Sequence, residues 1–495
     1  QTPYYLSNVT YNNYANVAFY THTDYVEKIP KFIVYYRNNV GIEGYYTYQN
    51  VSAGRAGTGY ISDYTSQLTL ANTVVSSSSN TLPFGITCYF NSANRNRYFV
   101  DSDAAGIHTV NYTGMRSGAG WKLSIQESIR QITVKTEDAS SEYYVYNDAD
   151  GSEHYFQKSG KSSPYEDEDG LGLSLEVDGA TFRLKDKKDN VKEFYNGYLT
   201  QIRDADSNAI YLLYNNKEYS AGSAAWKPAS GSANVVTKII RINNNGSATD
   251  VPVTLFTLSY ADSFLQSITD VAGRKTSFGY TSIGGYKQLT AVTFPDGQKA
   301  MYSYDNAGSM LKAYDEEAKG GVGFAYAKFN GTVCVQKVRE FAATSLTAAE
   351  TVGSRWHLWV FGPKMKEYRF YGPDQTSDTA DDTVVRYTFD HTGKTVNIVN
   401  FNTDRSQILG VSTASYTANS KTKTKNRLSG AAATGYLAQN LLNNSGLEQA
   451  STTGYSWAAA VSEQSSLVNT ALRNSITEVC LLYTSPSPRD AHESR

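Results

Sequence analysis

The chain has 495 residues with a formal net charge of −2, and it contains 40 tyrosines and 38 glycines but only 4 methionines. So small a net charge does not indicate a strongly basic surface that would bind nucleic acid or an anionic membrane. No apolar run approaches the roughly 20 residues that a membrane-spanning helix needs. Because Tyr favours strands and Gly favours turns, the composition predicts a β-rich protein of about two to four domains.

The first 140 residues predict strands without a repeat. Residues 17–20 and 32–36 are apolar or aromatic runs, so residues 1–45 are interpreted as the last strands of a truncated β-sandwich module. Residues 46–140 predict a β-rich domain that leads into the repeats. The sequence starts at Gln1 without Met, a basic stretch or an apolar signal segment, and we expect that its natural start is missing.

Residues 141–320 repeat a short unit of strand, turn and strand. Each copy begins with a Leu that is followed three residues later by Ile or Val, and an alternating strand that ends in Tyr comes after it. The copies are Leu199-x-x-Ile202-x-Asp204 with Tyr214, Leu265-x-x-Ile268-x-Asp270 with Tyr280, and Leu289-x-x-Val292 with Tyr304. Since residues two apart share one face of a strand, each unit has a stripe of side chains that only stacked units can bury. The pattern therefore predicts an all-β array of hairpins, joined by turns such as Asp270-Val271-Ala272-Gly273.

These units resemble the tyrosine-aspartate (YD) repeats of the bacterial RHS family. The similarity is carried by Asp270-Val271-Ala272-Gly273-Arg274-Lys275-Thr276 and by Tyr302-Ser303-Tyr304-Asp305-Asn306-Ala307-Gly308. Residues 144–156 and 165–171 resemble the first segments of RHS and wall-associated proteins, and residues 52–60 and 120–124 resemble the region before the repeats. The resemblance implies a β-hairpin YD-repeat array that forms part of an RHS shell and is preceded by β-sandwich-like segments. It also implies an extracellular or cell-wall-associated bacterial protein.

Three further segments and an artefact follow the repeats. Residues 321–404 predict more strands, and residues 405–439, rich in Ser, Thr, Ala and Lys without a sustained period, predict a flexible linker. Residues 440–479 resemble the start of a jelly-roll, carbohydrate-binding-like module of the kind found beside RHS segments. Residues 480–495 are interpreted as an artefact, because they include a string that matches the in-frame translation of a sequencing adapter, Cys480-Leu481-Leu482-Tyr483-Thr484-Ser485-Pro486-Ser487-Pro488-Arg489-Asp490.

The sequence contains no recognisable catalytic or cofactor-binding motif. It has no G-x-S-x-G elbow, no H-E-x-x-H pair and no phosphate-binding glycine loop. We therefore predict a non-catalytic protein without a bound cofactor. Apart from Cys480, only Cys88 and Cys334 are present, and the sequence leaves open whether they form a disulfide.

The best candidate for a metal site is a group of four carboxylates, Asp374, Asp378, Asp381 and Asp382. Acids this close together repel one another unless water or a cation neutralises them, and Ca²⁺ prefers several oxygen ligands on a tight turn. A hydrated turn without metal is the simpler interpretation, and a calcium site is the hypothesis that the four acids allow.

The RHS resemblance implies a structural role. In that family, such repeats form a β-shell that carries or encloses a C-terminal toxin, so the expected partners are this cargo and its immunity protein. One alternative is a wall-bound adhesin that contacts glycans or the cell wall through the module after Asn440. A third is an enzyme whose catalytic domain lies outside this fragment. The family's self-cleaving Asp-Pro-x-Gly motif does not occur in the chain, so no autoproteolytic residue is assigned.

Overall fold

The computed structural model describes most of the chain between residues 40 and 428, and the structural statements below concern the described residues. These are 40–43, 48–63, 65–79, 81–99, 110–135, 140–158, 164–167, 171–244, 251–329, 331–351, 356–362, 365–370, 374, 379, 382–389, 395–401, 408–416 and 423–428. The predicted all-β fold is confirmed, because these residues form two antiparallel sheets and two short 3-10 helices, Gly54–Ala56 and Ser92–Asn94. Among them, no helix has the length and apolar character needed to cross a bilayer.

The first sheet has five strands that pair in chain order. They are β1 (Tyr48–Ser52), β2 (Thr58–Ser62), β3 (Leu68–Ser77), β4 (Phe84–Asn91) and β5 (Trp121–Leu123). Ile61, Leu70 and Phe90 are fully buried and belong to a core cluster that also contains side chains of the second sheet. The two sheets therefore share one hydrophobic core.

The second sheet, called the repeat sheet below, is an antiparallel meander in which each strand pairs with the next. Its first eight strands are β6 (Ser128–Lys135), β7 (Ser140–Asn147), β8 (Glu153–Lys158), β9 (Tyr165–Asp167), β10 (Ser174–Asp178), β11 (Thr181–Lys185), β12 (Val191–Tyr195) and β13 (Tyr198–Arg203). Because β6 pairs both with β7 and, through Ser128 and Tyr198, with β13, these eight strands close into a ring.

The meander continues beyond the ring. The strands that follow are β14 (Ala209–Tyr214), β15 (Val236–Ile242), β16 (Val253–Ala261), β17 (Phe264–Asp270), β18 (Lys275–Ile283), β19 (Tyr286–Thr293), β20 (Lys299–Tyr304), β21 (Met310–Asp315), β22 (Gly320–Phe329) and β23 (Thr332–Ala342). The last are β24 (Trp356–Gly362), β25 (Met365–Phe370), β26 (Thr383–Phe389), β27 (Thr395–Phe401), β28 (Ile408–Tyr416) and β29 (Lys423–Leu428).

The structure corrects two predicted boundaries. The repeat sheet begins at β6, within the predicted 46–140 domain, because β6 pairs residue by residue with β7 as one hairpin. The predicted linker, residues 405–439, contains the hairpin of β28 and β29. Its paired residues begin with Val411 opposite Leu428 and end with Tyr416 opposite Lys423. Thr and Val are β-branched residues that favour strands, so a polar composition did not exclude a hairpin there.

Other predictions fall outside the described residues. They are the jelly-roll-like module in residues 440–479, the adapter string in 480–495 and the β-sandwich end in 1–45, of which only 40–43 are described. The open question of the cysteines is answered, since Cys88 and Cys334 are buried free thiols.

The aspartates of the repeated motif build the turns between strands. Asp270 Oδ1 accepts hydrogen bonds from the backbone N–H groups of Ala272 and Arg274, both at 2.9 Å. Asp305 Oδ1 likewise accepts hydrogen bonds from the backbone N–H groups of Ala307, at 2.9 Å, and Ser309, at 2.7 Å. A carboxylate in this position satisfies N–H groups that the strand ladder leaves unpaired where the chain reverses. The motif Asp therefore marks the end of a strand.

A β-bulge explains why the Leu and Ile of the motif are three residues apart. On a regular strand this spacing would place Leu265 and Ile268 on opposite faces, yet both are fully buried in the same core. The register between β16 and β17 shifts at this point, so that Gln266 is an extra residue without an opposite partner. One extra residue brings both apolar side chains to the same face. We call this buried face the inner face of the repeat sheet and the opposite one the outer face.

The same bulge recurs in other hairpins. The extra residues are Thr200, Thr237, Thr290, Leu311 and Gln336. Three of them are threonines whose hydroxyls donate a hydrogen bond to a carbonyl of the facing strand, from Thr200 to Glu193 (3.0 Å), from Thr237 to Leu213 (3.4 Å) and from Thr290 to Gly279 (3.3 Å). The bulge is thus a regular part of the repeat.

The turn glycines give a test of this fold. Gly273 has φ +78° with no atom near its missing side chain, so Gly273→Ala should cost about 1–2 kcal/mol from backbone conformation alone. Gly279, in the middle of β18, is the matched control because its added Cβ would lie at an ordinary 3.5 Å from Ala291. Gly279→Ala should leave the urea midpoint unchanged or raise it. Equal losses in both variants would contradict the assigned turn geometry.

Candidate functional site

Five tyrosines, of which Tyr214 and Tyr304 are buried and the other three are partly buried, link successive hairpins of the repeat sheet on its inner face. Each hydroxyl donates a hydrogen bond to the backbone carbonyl of the apolar residue that precedes the bulge in the hairpin before it. We call this set the tyrosine ladder, which runs from Tyr214 to Leu199 (2.6 Å), Tyr260 to Val236 (3.0 Å), Tyr280 to Leu265 (2.7 Å), Tyr304 to Leu289 (2.7 Å) and Tyr326 to Met310 (2.9 Å).

The bulge and the tyrosine depend on each other. A bulge interrupts the ladder of strand hydrogen bonds, and the carbonyl beside it lies in the core, where water cannot satisfy it. The hydroxyl of the next unit's tyrosine provides the missing donor. Burial raises the pKa of all five hydroxyls, so they stay protonated and able to donate.

Only part of the ladder could be identified from the sequence. The copies with Leu199, Leu265 and Leu289 were recognised, and each precedes its tyrosine by 15 residues. The copies that use Val236 and Met310 were missed, because the first residue is not Leu and the separation is 24 or 16 residues. In the three copies that begin with Leu, the constant separation of 15 residues between Leu and Tyr was the signal that the sequence offered for the bond.

The first sheet covers the inner face beside the ladder. Trp121 Nε1 donates a hydrogen bond of 2.9 Å to the hydroxyl of Tyr304, which itself donates to Leu289. Tyr302 donates to the carbonyl of Ala56 at 3.0 Å. The rings also pack, with centroids 4.9 Å apart for Trp121 and Tyr302. The first sheet therefore satisfies polar groups of the repeats as well as burying their rings.

The chain between β4 and β5 follows the row of hairpin turns. Arg116 donates through its backbone N–H to Ser263 and accepts from the N–H of Leu265, both at 2.9 Å. Its guanidinium lies 4.7 Å from the ring centre of Tyr98. One hairpin further along, Ala119 N–H donates to the carbonyl of Lys287 at 3.0 Å. This segment thus binds neighbouring repeats at one edge, as the first sheet does on the inner face.

A cluster of charges, with Lys122 buried and Asp148 and Asp150 partly buried, joins the first sheet to the turn between β7 and β8. Lys122 Nζ donates to the carbonyls of Asp148 and Ala149, and burial lowers its pKa to about 8. Burial and the neighbouring carboxylate of Asp148 raise the pKa of Asp150 to about 7. Asp150 Oδ2 accepts a hydrogen bond of 3.0 Å from the backbone N–H of Ile42.

Asp148 behaves in the opposite way to Asp150. Burial opposes its charged form, but hydrogen bonds from His154 and Asp150 outweigh burial and lower its pKa well below the usual range. Asp148 Oδ1 also accepts three backbone N–H bonds, from residues 150–152. In mildly acidic solution the two carboxylates of one turn are therefore held in different protonation states.

The predicted calcium ligands are only partly described. Asp374 is exposed, and Asp382 is buried. Asp382 Oδ2 accepts a hydrogen bond of 3.2 Å from the N–H of Thr379, which is a turn contact. Asp378 and Asp381 lie outside the described residues. Within the described part of the chain, no group of three or more acidic, His or Cys side chains has a geometry that could hold a metal ion, and calcium stays a prediction.

Comparison with known proteins gives only distant structural likeness. No family model matches the chain, and no curated protein matches it. Similar solved structures include the crystal structure of TcdB2-TccC3-TEV, with a TM-score of 0.26 and 9% identity over 76% of this chain and 22% of that chain. A Photorhabdus luminescens Tc holotoxin pore with a mutated TccC3 has a TM-score of 0.22 and 9% identity over 74% of this chain and 26% of that chain. The chain thus spans about a quarter of the length of these solved chains.

Tyr304→Phe tests the ladder. The change leaves the Leu289 carbonyl and the Trp121 N–H without their partner, so it should lower the free energy of unfolding by roughly 1–3 kcal/mol. Tyr286→Phe is the matched control, because Tyr286 is an exposed tyrosine. Urea unfolding measures both. A loss as small for Tyr304→Phe as for Tyr286→Phe would show that the hydroxyl does not hold the sheet together.

Asp150→Asn tests the charge cluster. Because the pKa of Asp150 is raised to about 7, the folded protein keeps a proton that the unfolded chain releases near pH 4. The stability this proton gives is complete below about pH 4 and is lost as pH rises through about 7. The parent should therefore lose this stability between pH 4 and 8, whereas the neutral Asn side chain does not titrate. The Tm of Asp150→Asn minus the Tm of the parent should increase over that range.

The control for this pH series is Asp262→Asn, whose side chain is exposed in the turn before β17. Its Tm difference from the parent should stay constant over the same range. A constant difference for Asp150→Asn as well would contradict the assignment.

Proposed function

We propose that this chain is a non-catalytic wall segment of an RHS-type β-shell, part of a secreted bacterial protein that carries or encloses a C-terminal toxin. The observation that carries the proposal is the tyrosine ladder, because each hairpin from β14 to β23 binds the preceding hairpin by the same bond. The similarity of the turns and Tyr-x-Tyr-Asp strand ends to YD repeats supports the same proposal.

Regular nearest-neighbour contacts suit a wall. When each unit contacts only its neighbours, stability is roughly a sum over units and interfaces, so a sheet can be extended by adding units. The bulge and the tyrosine contribute to this regularity, since both recur at the same place in the hairpin.

The first sheet limits where a cargo could lie. It already covers the inner face beside Tyr302 and Tyr304 and fills the space against them with Trp121 and Phe90. We therefore propose that the cargo contacts the inner face of hairpins further along the shell. The first sheet would then separate the enclosed space from the chain that precedes the repeats.

The first test of the proposal is the DNA sequence on either side of the coding region. Long-read sequencing through the locus should extend the reading frame into further hairpins with the apolar-x-x-apolar bulge and its tyrosine, followed by a C-terminal domain of unrelated sequence beside a small immunity gene. A frame that runs instead into β-sandwich modules and a wall anchor would overturn the shell and favour an adhesin.

Protease protection tests enclosure in the complete protein. The C-terminal domain should resist digestion in the full-length chain and be degraded when it is expressed alone, because a closed wall excludes the protease. Equal rates of degradation in the two preparations would contradict enclosure.

A further inference from the structure

One connection in the repeat sheet is much longer than the others. β12 and β13 are joined by Asn196 and Gly197 alone, whereas residues 215–235 join β14 to β15. Ordered connections of this length without strands or helices of their own are uncommon and often serve a function. This connection folds onto the outer face, where Trp226 is 4% exposed and packs against Leu213 and Ile240.

Hydrogen bonds hold the connection in one conformation. Asn234 Nδ2 donates to the carbonyls of Ala229 and Ser232, at 2.8 and 2.9 Å. Lys227 Nζ lies 2.9 Å from Glu193 Oε1 on β12, and both side chains are 16% exposed. The loop is therefore tied both to itself and to the sheet below it.

An open cavity of about 320 Å³ lies between the loop and the outer face. Its floor is a row of cross-strand neighbours, since Glu193 pairs with Gln201 and Gln201 pairs with Tyr211. The loop provides the walls, and its lining residues are Tyr219, Ser220, Gly222, Ser223, Ala224, Trp226 and Lys227. The volume is at the lower end of the range for small-molecule sites, which is about 300–1,000 Å³.

The lining combines aromatic rings with paired polar groups. Tyr211 and Tyr219 have ring centroids 4.5 Å apart, and each lies within 6 Å of the Trp226 ring. The charged lining residues, Glu193 and Lys227, form an ion pair, and the second carboxylate oxygen of Glu193 lies 3.3 Å from Nε of Arg183, which is outside the lining. Donors and acceptors therefore lie side by side next to partly buried aromatic surface.

We propose that this outer-face cavity binds one ring of a neutral sugar. A pyranose has an apolar face that packs on an aromatic ring and hydroxyls that both donate and accept, which matches Tyr211 and Tyr219 beside Gln201 and the Glu193–Lys227 pair. A purely apolar ligand would displace water from Gln201 and from the Glu193–Lys227 pair and would offer no hydrogen bonds in return. An anion would meet Glu193 and a cation would meet Lys227. The site does not depend on the shell proposal, because it lies on the opposite face from the tyrosine ladder.

The test is saturation-transfer NMR of the chain with glucose, galactose, mannose and N-acetylglucosamine as separate probes. At least one sugar should receive saturation, most strongly at its ring C–H protons, and its binding should be insensitive to added salt because the ligand carries no charge. Tyr219→Ala should weaken that binding by about tenfold or more, as expected when an aromatic contact worth about 1.4 kcal/mol is removed. Tyr286→Ala, at an exposed tyrosine elsewhere, should leave it unchanged.

A second variant guards against a change in folding. Ala224 is an exposed lining residue, so Ala224→Trp fills the cavity without removing a packed side chain and should abolish binding while the Tm stays within a few degrees of the parent. The proposal is overturned if no probe receives saturation from the folded parent, or if both variants bind as the parent does. Tighter binding of glucuronate than of the neutral sugars would also overturn it, in favour of an anion site.

Discussion

The repeat sheet depends on one hydrogen bond, from a tyrosine hydroxyl to the carbonyl that a β-bulge leaves beside the core. The bulge brings two apolar side chains with a spacing of three to the same face, and its cost is an interrupted strand ladder. Tyrosine offsets this cost because its ring is apolar enough to be buried and its hydroxyl reaches the preceding hairpin. Phenylalanine would fill the same space and leave the carbonyl unsatisfied. The need for tyrosine at the end of the next strand is a consequence of this one contact.

The repeats could be predicted from the sequence to the extent that they are local. The alternating strands, the Asp turns and the Tyr at the strand end follow from residue type and spacing, and Asp270 and Tyr280 lie where that pattern predicts. The bulge could not be predicted in the same way, because a spacing of three means opposite faces on a regular strand. The copies with Val236 or Met310 at the first position were missed because they lack the Leu and the separation of 15 residues, and only the structure shows that Val and Met also precede the bulge.

The contacts between the sheets were beyond sequence reasoning. Trp121 and Tyr304 are 183 residues apart, and neither has a local pattern that indicates its partner. The stretch around Trp226 had the Ser, Ala and Gly composition of a simple surface loop, and only its packing on Leu213 and Ile240 shows a built cavity. Burial of charge was equally hidden, because Lys122 and Asp150 are ordinary surface residue types whose pKa values shift only through the first sheet and the turn that enclose them.

The nearest-neighbour form of the tyrosine ladder also has an evolutionary consequence. Each tyrosine binds a backbone carbonyl, a group that every residue has, and the hairpin it contacts contributes no specific side chain to that bond. A duplicated hairpin would therefore arrive with its own tyrosine and offer its own bulge carbonyl to the next unit. Unequal recombination between repeats could lengthen or shorten such a protein in frame without a compensating mutation at the junction.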